Sequence, residues 1–528
     1  MRLRDKTTTL AGAAFAAAML ASVPGPALAQ GFQCPRTGGD LIFALESQVP
    51  GLDQHTSNSS ATRNVAMNVF ESLVTRDENM NPTLELAESL NVSPDGLTYT
   101  FRLRQGIRFH NGKTMTSADV AASFDRYKRV GIDRSVLDPV ARWETPDPNT
   151  FVMVLSERRP LFLEALSSFT VPIVIVPAEN AGATPGQLPT VGTGPFRLDE
   201  FRADSHVRLR RNDAYSQDTR HPRMLGFGGA KRACVDTVTI RMMAEPGART
   251  AALEVGEIHG VEDVPAASQR RLGANNAIRL SRLETFWMNV TYPNWSAPPT
   301  DNPKVRQAIL AALNFEEIMD AATEGQFKLN PGFQYPGMQY FTDAGKELLN
   351  QKNPARAREL LREAGYRGEK VVLLTNRQFP VMYNTSLVMA EQMKAAGINA
   401  ELEVLDWPAA LQKSQRETQG WNFFYTGWIT VIALGGPQTL RQMAEPNPVY
   451  KSANNAVDPA YMAAFNEVNT APELAQRQAA FARAQRIAIE QVMAIPFGVA
   501  PKTQAVRANV ENYVPYYNTR FSNVWLRP

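Results

Sequence analysis

The sequence of 528 residues has two cysteines, five histidines and almost no excess of charge. Its 55 Lys and Arg stand against 52 Asp and Glu, a net charge of +3 with no basic stripe. Nucleic-acid binders cluster their cations, so a phosphate backbone is not the expected partner. His55, His110, His206, His221 and His259 form neither HExxH nor another pair at ligand spacing, so no metal site is expected. No GxSxG elbow is present, and carboxylate pairs such as Glu316-Glu317 fall in helical stretches where they are most simply solvated. No enzymatic constellation and no cofactor are implied. Gly and Pro, at 33 and 36, are near average usage, which excludes collagen-like and low-complexity chains. Internal repeats and long linkers are absent too. At about 150 residues per domain, this length suggests about three packing units in one body.

The N-terminus is informative. Arg2, Arg4 and Lys6 precede an uncharged, mostly apolar run at 10–23, and Pro24-Gly25-Pro26 then breaks it. Ala27-Leu28-Ala29 places small residues where a signal peptidase reads. Residues 1–29 are therefore expected to be a secretory signal, cleaved before Gln30. A membrane anchor is the alternative, but the run falls short of the ~18 to 20 residues a span needs. Leu3 separates the two arginines, so there is no twin-arginine signal, and no lipobox precedes Cys34. The expectation is a soluble bacterial protein exported to an oxidising compartment. That oxidising compartment favours pairing Cys34 with Cys234 across a loop of about 200 residues. Two buried, unpaired thiols are the alternative.

Residues 40–45 (DLIFAL) read as a short buried strand. In 98–104, Tyr99, Phe101 and Leu103 alternate with Thr100, Arg102 and Arg104, the period of a half-buried strand. Asn111-Gly112 signals a tight turn, and a helix follows with Thr116 or Ser117 as cap and Asp119 in its first turn, ending near Gly131. Further strands are expected at 151–155, 171–176 and 235–243. From about residue 284 helices alternate with short strands. Asn302 caps a helix with Pro303 first and Val305, Ile309, Ala312 and Leu313 along its buried stripe. Another helix starts at 314–317 and ends at Gly325. Asn353-Pro354 repeats the cap-then-proline signal, with Gly365 as the stop. Strands at 371–375 and 398–405 bracket a helix ending at Gly397, a strand–helix–strand crossover.

Two stretches invite chemical readings. The segment 106–114 (GIRFHNGKT) resembles a phosphate loop, but has five residues between its glycines where that motif has four, and it joins strand to strand. It reads as a turn. Between Trp407 and Trp428 lie Trp421, Phe423, Phe424 and Tyr425. These rings could fill a core or line a solute cleft, and the sequence leaves both open.

Ordered motifs across the chain resemble one family. Leu52-Asp53-Gln54-His55 is similar to its LDPH element, and Phe70-Glu71-Ser72-Leu73 to its E-x-L element. SPDGLTY at 93–99 with FRLRQGIRFHNGK after it, VGTGPF at 191–196, NPKVRQAI at 302–309 and AGINAELEVLDW at 396–407 follow in the family's order. AIPFG and FSNVWL complete the set. The family is that of extracytoplasmic solute-binding proteins of ABC importers, family 5, the peptide, nickel and opine group. The resemblance implies a two-lobed α/β clam of the large class, with an extra inserted subdomain and a hinge of two crossing strands. Segments 30–70, 190–283 and 490–528 would form the first lobe, 71–189 the insertion and 284–489 the second lobe. The crossings would fall near 283–287 and 491–497. A small-molecule solute would bind in the cleft, and the closed form would dock on the transmembrane subunits of an ABC permease. Cys34 and Cys234 fall where similar dipeptide-binding members form a disulfide.

Departures from the pattern bear on the solute. Dipeptide binders of this type grip the ammonium with an aspartate after the pocket tryptophan, but Trp428 is followed by ITVIAL, with no carboxylate. Where they hold the ligand carboxylate with arginine, this chain has Val381, and Arg377 is the nearest substitute. A dipeptide would lose one or both anchors, each worth about 1.5 to 3 kcal/mol. The resemblance so qualified implies a non-peptide organic acid, opine or related solute. Trp428, Tyr383, Arg377, Asn384, Ser47, Gln48, Thr426 and Phe497 are its candidate contacts. An oligopeptide binder of the same family is the alternative, and an exported hydrolase the alternative of another class.

Overall fold

The computed structural model describes residues 31–170, 172–428, 439–440, 443–444 and 458–528, with the backbone alone at 285. The expected signal segment 1–29, and the residues 429–434 that follow Trp428, lie outside the described residues.

Among the described residues one mixed sheet of ten strands joins the two halves. From one edge to the other its strands are Ala400–Val404, Val371–Thr375, Phe423–Trp428, Ile278–Pro293, Ile495–Arg507, Gly260–Val261, Asp40–Leu45, Thr237–Met242, His206–Arg211 and Phe196–Arg202. The two longest, Ile278–Pro293 and Ile495–Arg507, are central and antiparallel, and they join the two halves. Their register slips twice. Leu283 pairs with Lys502 and Trp287 with Ala500, so residues 284–286 stand opposite Pro501 alone. Then Asn289 pairs with Gly498 and Val290 with Pro496, leaving Phe497 as the extra residue. Proline has no N–H to give the ladder, so both irregularities coincide with a proline, as expected of bulges. The described break thus faces Ala500–Lys502, while Ile495 and Pro496 pair with Thr291 and Val290.

Apolar packing follows the same division. One buried cluster takes most of its residues from 288–499, including Ile309, Phe315, Leu373, Met389, Phe424, Phe481 and Phe497. A second packs Phe43, Val65, Phe70, Ile240 and Phe521. A third lies under a separate antiparallel sheet of Ala87–Val92, Thr98–Leu103, Thr150–Leu155 and Val140–Asp147, covered by the helix Ser117–Val130. Phe169, Phe227 and Tyr516, whose rings meet one another, join the first of these clusters from the opposite side, so the halves share apolar packing.

The local signals act as the chemistry requires. Thr116 and Asp119 form a reciprocal capping box on the helix Ser117–Val130. Asn302, Asn314 and Asn353 accept from the exposed N–H groups of helices Pro303–Ala312, Phe315–Thr323 and Pro354–Ala364. Of the strand expected at 171–176, residue 171 lies outside the described residues, and 172–176 form instead a single bridge, Ser72 to Val174. Side chains take its backbone groups: His55 Nε2 lies 2.9 Å from the Val174 carbonyl, and Ser123 Oγ accepts from Val176 N at 3.0 Å. A segment bound this way has little left for a ladder.

The motif residues hold the separate sheet to the main one. Arg126 grips Asp53 with two bonds, at 3.1 and 2.7 Å. Burial, and the Arg126 charge after it, push the His55 imidazole down to about 4, so it stays neutral. Lys231 Nζ sits 2.8 Å from Glu71 and 2.7 Å from Glu85, while Thr193 and Tyr215 donate to Glu71. A Cβ on Gly192 would lie 2.1 Å from the Val69 carbonyl, and one on Gly194 2.7 Å from it, so only glycine lets that bend dock.

Cys34 and Cys234 form a disulfide with Cα atoms 5.6 Å apart and a sequence separation of 200. On chain-entropy grounds a loop of that length stabilises by about 5 kcal/mol. A Cys34→Ala, Cys234→Ala double variant should therefore melt well below the parent in calorimetry, and the parent with reductant should approach it.

Candidate functional site

In open α/β sheets the crevice opens at the carboxyl ends of the parallel strands. Asp40–Leu45 runs parallel to Thr237–Met242 and to Gly260–Val261, so Glu46, Ser47, Gln48, Glu262 and Asp263 follow carboxyl ends in the first half. In the second half Val371–Thr375 runs parallel to Ala400–Val404 and to Phe423–Trp428. There Arg377 and Trp428 occupy the equivalent positions. The central strands add Phe286, Trp287 and Lys502 at their register break.

The first half gathers five charged groups there. Lys502 Nζ lies 3.0 Å from Glu46 and 3.5 Å from Glu262, and Arg249 is 3.9 Å from Glu46. Glu262 also accepts from Glu46 N and from Asn64 Nδ2, each at 2.8 Å. Asn64 is itself fixed by Asn518 and by Thr519 N, both at 2.9 Å. Lys502, Glu262 and Arg249 are buried, and the Lys502 ammonium stands 5.0 Å from the Phe286 ring and 5.7 Å from that of Trp287. Burial alone would lower the Lys502 ammonium, but the Glu262 and Glu46 carboxylates more than offset it and hold it above its ordinary value. Burial raises Glu262, with Lys502 opposing. Asp263 is half-buried, and burial followed by the Glu46 charge pushes it from 3.8 up to about 7.

The rings form a wall beside these charges. Phe286 stacks on Tyr517 at 5.7 Å and meets Trp287 edge-on at 4.8 Å. Trp287 lies against Gly427, where a Cβ would come within 2.3 Å of its ring. Glycine at 427 is what lets a strand of the second half approach the crossing.

The sequence-derived candidates fall into separate groups. Arg377 is exposed, with its guanidinium 5.1 Å from the Tyr383 ring centre and 3.4 Å from its hydroxyl. Tyr383 and Asn384 lie in the first turn and a half of helix Pro380–Ala395, and Asn384 Nδ2 donates to the Ala321 carbonyl at 3.2 Å. Trp428 is 1% exposed, paired with Met288 and 6.1 Å from Phe333. Thr426 is buried opposite Val290. Phe497 is fully buried between Phe315 at 5.1 Å and Tyr425 at 6.3 Å. Ser47 is half-buried and Gln48 exposed, after the first strand. Arg377 and Tyr383 are thus brought together, whereas Phe497 and Trp428 pack inside the second half.

Sequence reasoning missed Lys502, Glu46, Glu262, Asp263 and Arg249. Apart from the adjacent Glu262 and Asp263 they are separated in sequence, and they form no spacing motif. The available signal was a charged residue directly after an apolar strand, as at Glu46 and Glu262. Among the described residues no three His, Cys, Asp or Glu side chains are placed to hold a metal ion, and no helix is long and apolar enough to cross a membrane.

Comparison with known proteins gives a consistent picture. Residues 81–448 match the family model of bacterial extracellular solute-binding proteins, family 5, middle region. The glutathione-binding protein GsiB of Escherichia coli K12 is 28% identical over 407 residues, 75% of this chain and 76% of that one. Among solved structures, the periplasmic binding protein AgaA of A. tumefaciens R10 in complex with agropinic acid superposes with a TM-score of 0.81 at 24% identity. It covers 93% of this chain and 99% of that one. The binding protein DppA of Helicobacter pylori in complex with a peptide STSA gives 0.80 at 22% identity, over 93% and 98%. The fold is that of the two-lobed periplasmic binding proteins.

Asp263 binds its proton more tightly folded than unfolded, so its contribution to stability is full below about pH 4 and is lost as pH rises through about 7. Asp263→Asn should therefore gain in melting temperature relative to the parent as pH rises from about 5 to about 8. A difference that stays flat with pH in calorimetry would contradict this placement of the carboxylate.

Proposed function

Because the chain belongs to the bacterial extracellular solute-binding proteins of family 5, solute-binding components of ABC importers, we propose that it captures a small organic acid between its two halves. It then hands the acid to the transmembrane subunits of a permease. Its place is the periplasm of a Gram-negative bacterium, as a soluble monomer freed of residues 1–29. In this reading 30–70, 190–283 and 490–528 form the first lobe and 71–189 its insertion. Residues 284–489 form the second lobe, and the register break marks the hinge.

One observation carries the choice of solute. Arg377, at the carboxyl end of Val371–Thr375, is an exposed guanidinium already oriented by the Tyr383 ring and hydroxyl. A planar cation set on an aromatic face suits a carboxylate, which it can hold with two bonds. Ser47, Gln48, Asn384 and Thr426 would supply neutral polar contacts, and Trp428 and Phe497 would back the cleft with apolar surface. Val381 and the sequence ITVIAL after Trp428 lack the charged anchors of dipeptide binders, so an opine or related organic acid is favoured over a simple dipeptide. The likeness to a glutathione-binding protein supports a second reading, a short peptide or peptide conjugate.

A thermal-shift screen of the mature protein against opines, organic acids, sugars, peptides and glutathione tests both readings. A solute at about 100 times its Kd adds about 2.7 kcal/mol of stability and should raise the melting temperature visibly. Arg377→Gln should weaken a carboxylate-bearing hit by about 10- to 100-fold in titration calorimetry without lowering the melting temperature of the empty protein. Unchanged affinity in that variant would remove Arg377 from the site.

A further inference from the structure

The ladder of the crossing fails at residues 284–286, which stand opposite Pro501 alone. Anchors lie on either side of that gap. On the second-half side, the segment after helix Phe315–Thr323 is fixed to the strand Ile495–Arg507 by two backbone bonds. Lys328 N donates to the Val499 carbonyl at 3.0 Å, and Val499 N to the Lys328 carbonyl at 2.8 Å. A Cβ on Gly498 would lie 2.7 Å from the Lys328 carbonyl oxygen, so glycine is what lets the segment dock. On the first-half side, Val264 N donates to the Thr503 carbonyl of the same strand at 2.8 Å. Gln269, in helix Ala266–Gly273, donates to the Val264 carbonyl at 3.1 Å.

Gln326 joins these anchors. Its Nε2 donates to Gln269 Oε1 at 3.4 Å, and its Oε1 accepts from Arg282 Nη1 at 3.2 Å. Both glutamines are half-buried, so water competes with these bonds only in part. The path from Val499 through Lys328, Gln326, Gln269 and Val264 to Thr503 leaves the strand before Pro501 and rejoins it beyond. The chain bends sharply to deliver Gln326: Glu324 and Gly325 are both left-handed, with φ of 51° and 76°. A residue with a side chain is held in that region only where its surroundings impose it, and such residues gather at switches.

We infer that Gln326 is a positioning residue for solute capture, a strap that sets the angle between the halves through Gln269 and Arg282. This rests on the reading of the register break as the hinge. The strap is made where the halves share apolar packing, so it favours that arrangement over any in which its ends part. Rotation about the break leaves Lys328 on Val499 but moves Gln326 relative to Gln269, since the two belong to opposite halves. The strap acts on closure and not on solute contacts. It should therefore raise the affinity of chemically unlike solutes by one common factor.

The test is Gln326→Leu in the mature protein, titrated with glutathione, mannopinic acid, trialanine and citrate. Every probe that binds the parent should bind about 3- to 10-fold more weakly and by the same factor, while the melting temperature of the empty variant holds. Gln269→Leu should cause a like fall, and the double variant should fall no further than Gln269→Leu alone. Gln326→Glu, which keeps an acceptor for Arg282, should lose less. Unchanged affinity, a loss confined to one probe, or additive losses in the double variant would overturn the inference. If no probe binds the parent, X-ray scattering of the empty proteins decides. Gln326→Leu should then show the larger radius of gyration, and superimposable curves would overturn the strap. A parent that binds a probe without any change in scattering would overturn the hinge reading, and the strap with it.

Discussion

Two antiparallel strands, Ile278–Pro293 and Ile495–Arg507, are the constraint on which the rest depends. They place both halves in one sheet, so the carboxyl ends of the parallel strands in each half open beside the same crossing. Pro501 and Pro496 withhold N–H groups at the two points where the ladder slips. The first slip frees residues 284–286 from strict pairing and presents Phe286 and Trp287 beside Lys502. A bulge re-aims side chains and weakens local pairing, both of which a hinge beside a binding cleft needs. Gly427 completes the junction by letting Trp287 lie on the strand Phe423–Trp428.

Charge is handled differently in the two halves. In the first, carboxylates and cations are buried together and fixed by Asn64 and its own partners, so they resist rearrangement. In the second, the sequence-derived cation Arg377 stays exposed, and its main constraint is the Tyr383 ring. A rigid charged floor opposite an accessible guanidinium suits a ligand met by one half first and clamped by the other. The remaining buried ion pairs hold the scaffold. Asp53 with Arg126, and Lys231 between Glu71 and Glu85, join the separate antiparallel sheet to the main one.

Much of the scaffold was legible in the sequence because its signals are local. Asn302, Asn314 and Asn353 cap helices where they were expected, and alternation at 98–103 and the apolar run at 40–45 mark real strands. The expectation of a strand at 171–176 misled because, in its described part, Val174 and Val176 bond through their backbone to His55 and Ser123, which lie far away in sequence. The aromatic stretch was read as either core or cleft, and among the described rings Trp421, Phe423, Phe424, Tyr425 and Trp428 are all buried. The charged cluster was not legible, since Glu46, Arg249, Glu262 and Lys502 meet only through sheet order. The family motifs proved to be largely structural: their Asp, His and Glu residues bind one another's segments and hold the sheets in place.

The central claim is that two halves joined at a bulged crossing close on a solute. Small-angle X-ray scattering of the mature protein, empty and saturated with whichever solute raises its melting temperature, tests this most directly. The account predicts a smaller radius of gyration and a shorter maximum dimension in the loaded protein. Superimposable curves at saturation would contradict it.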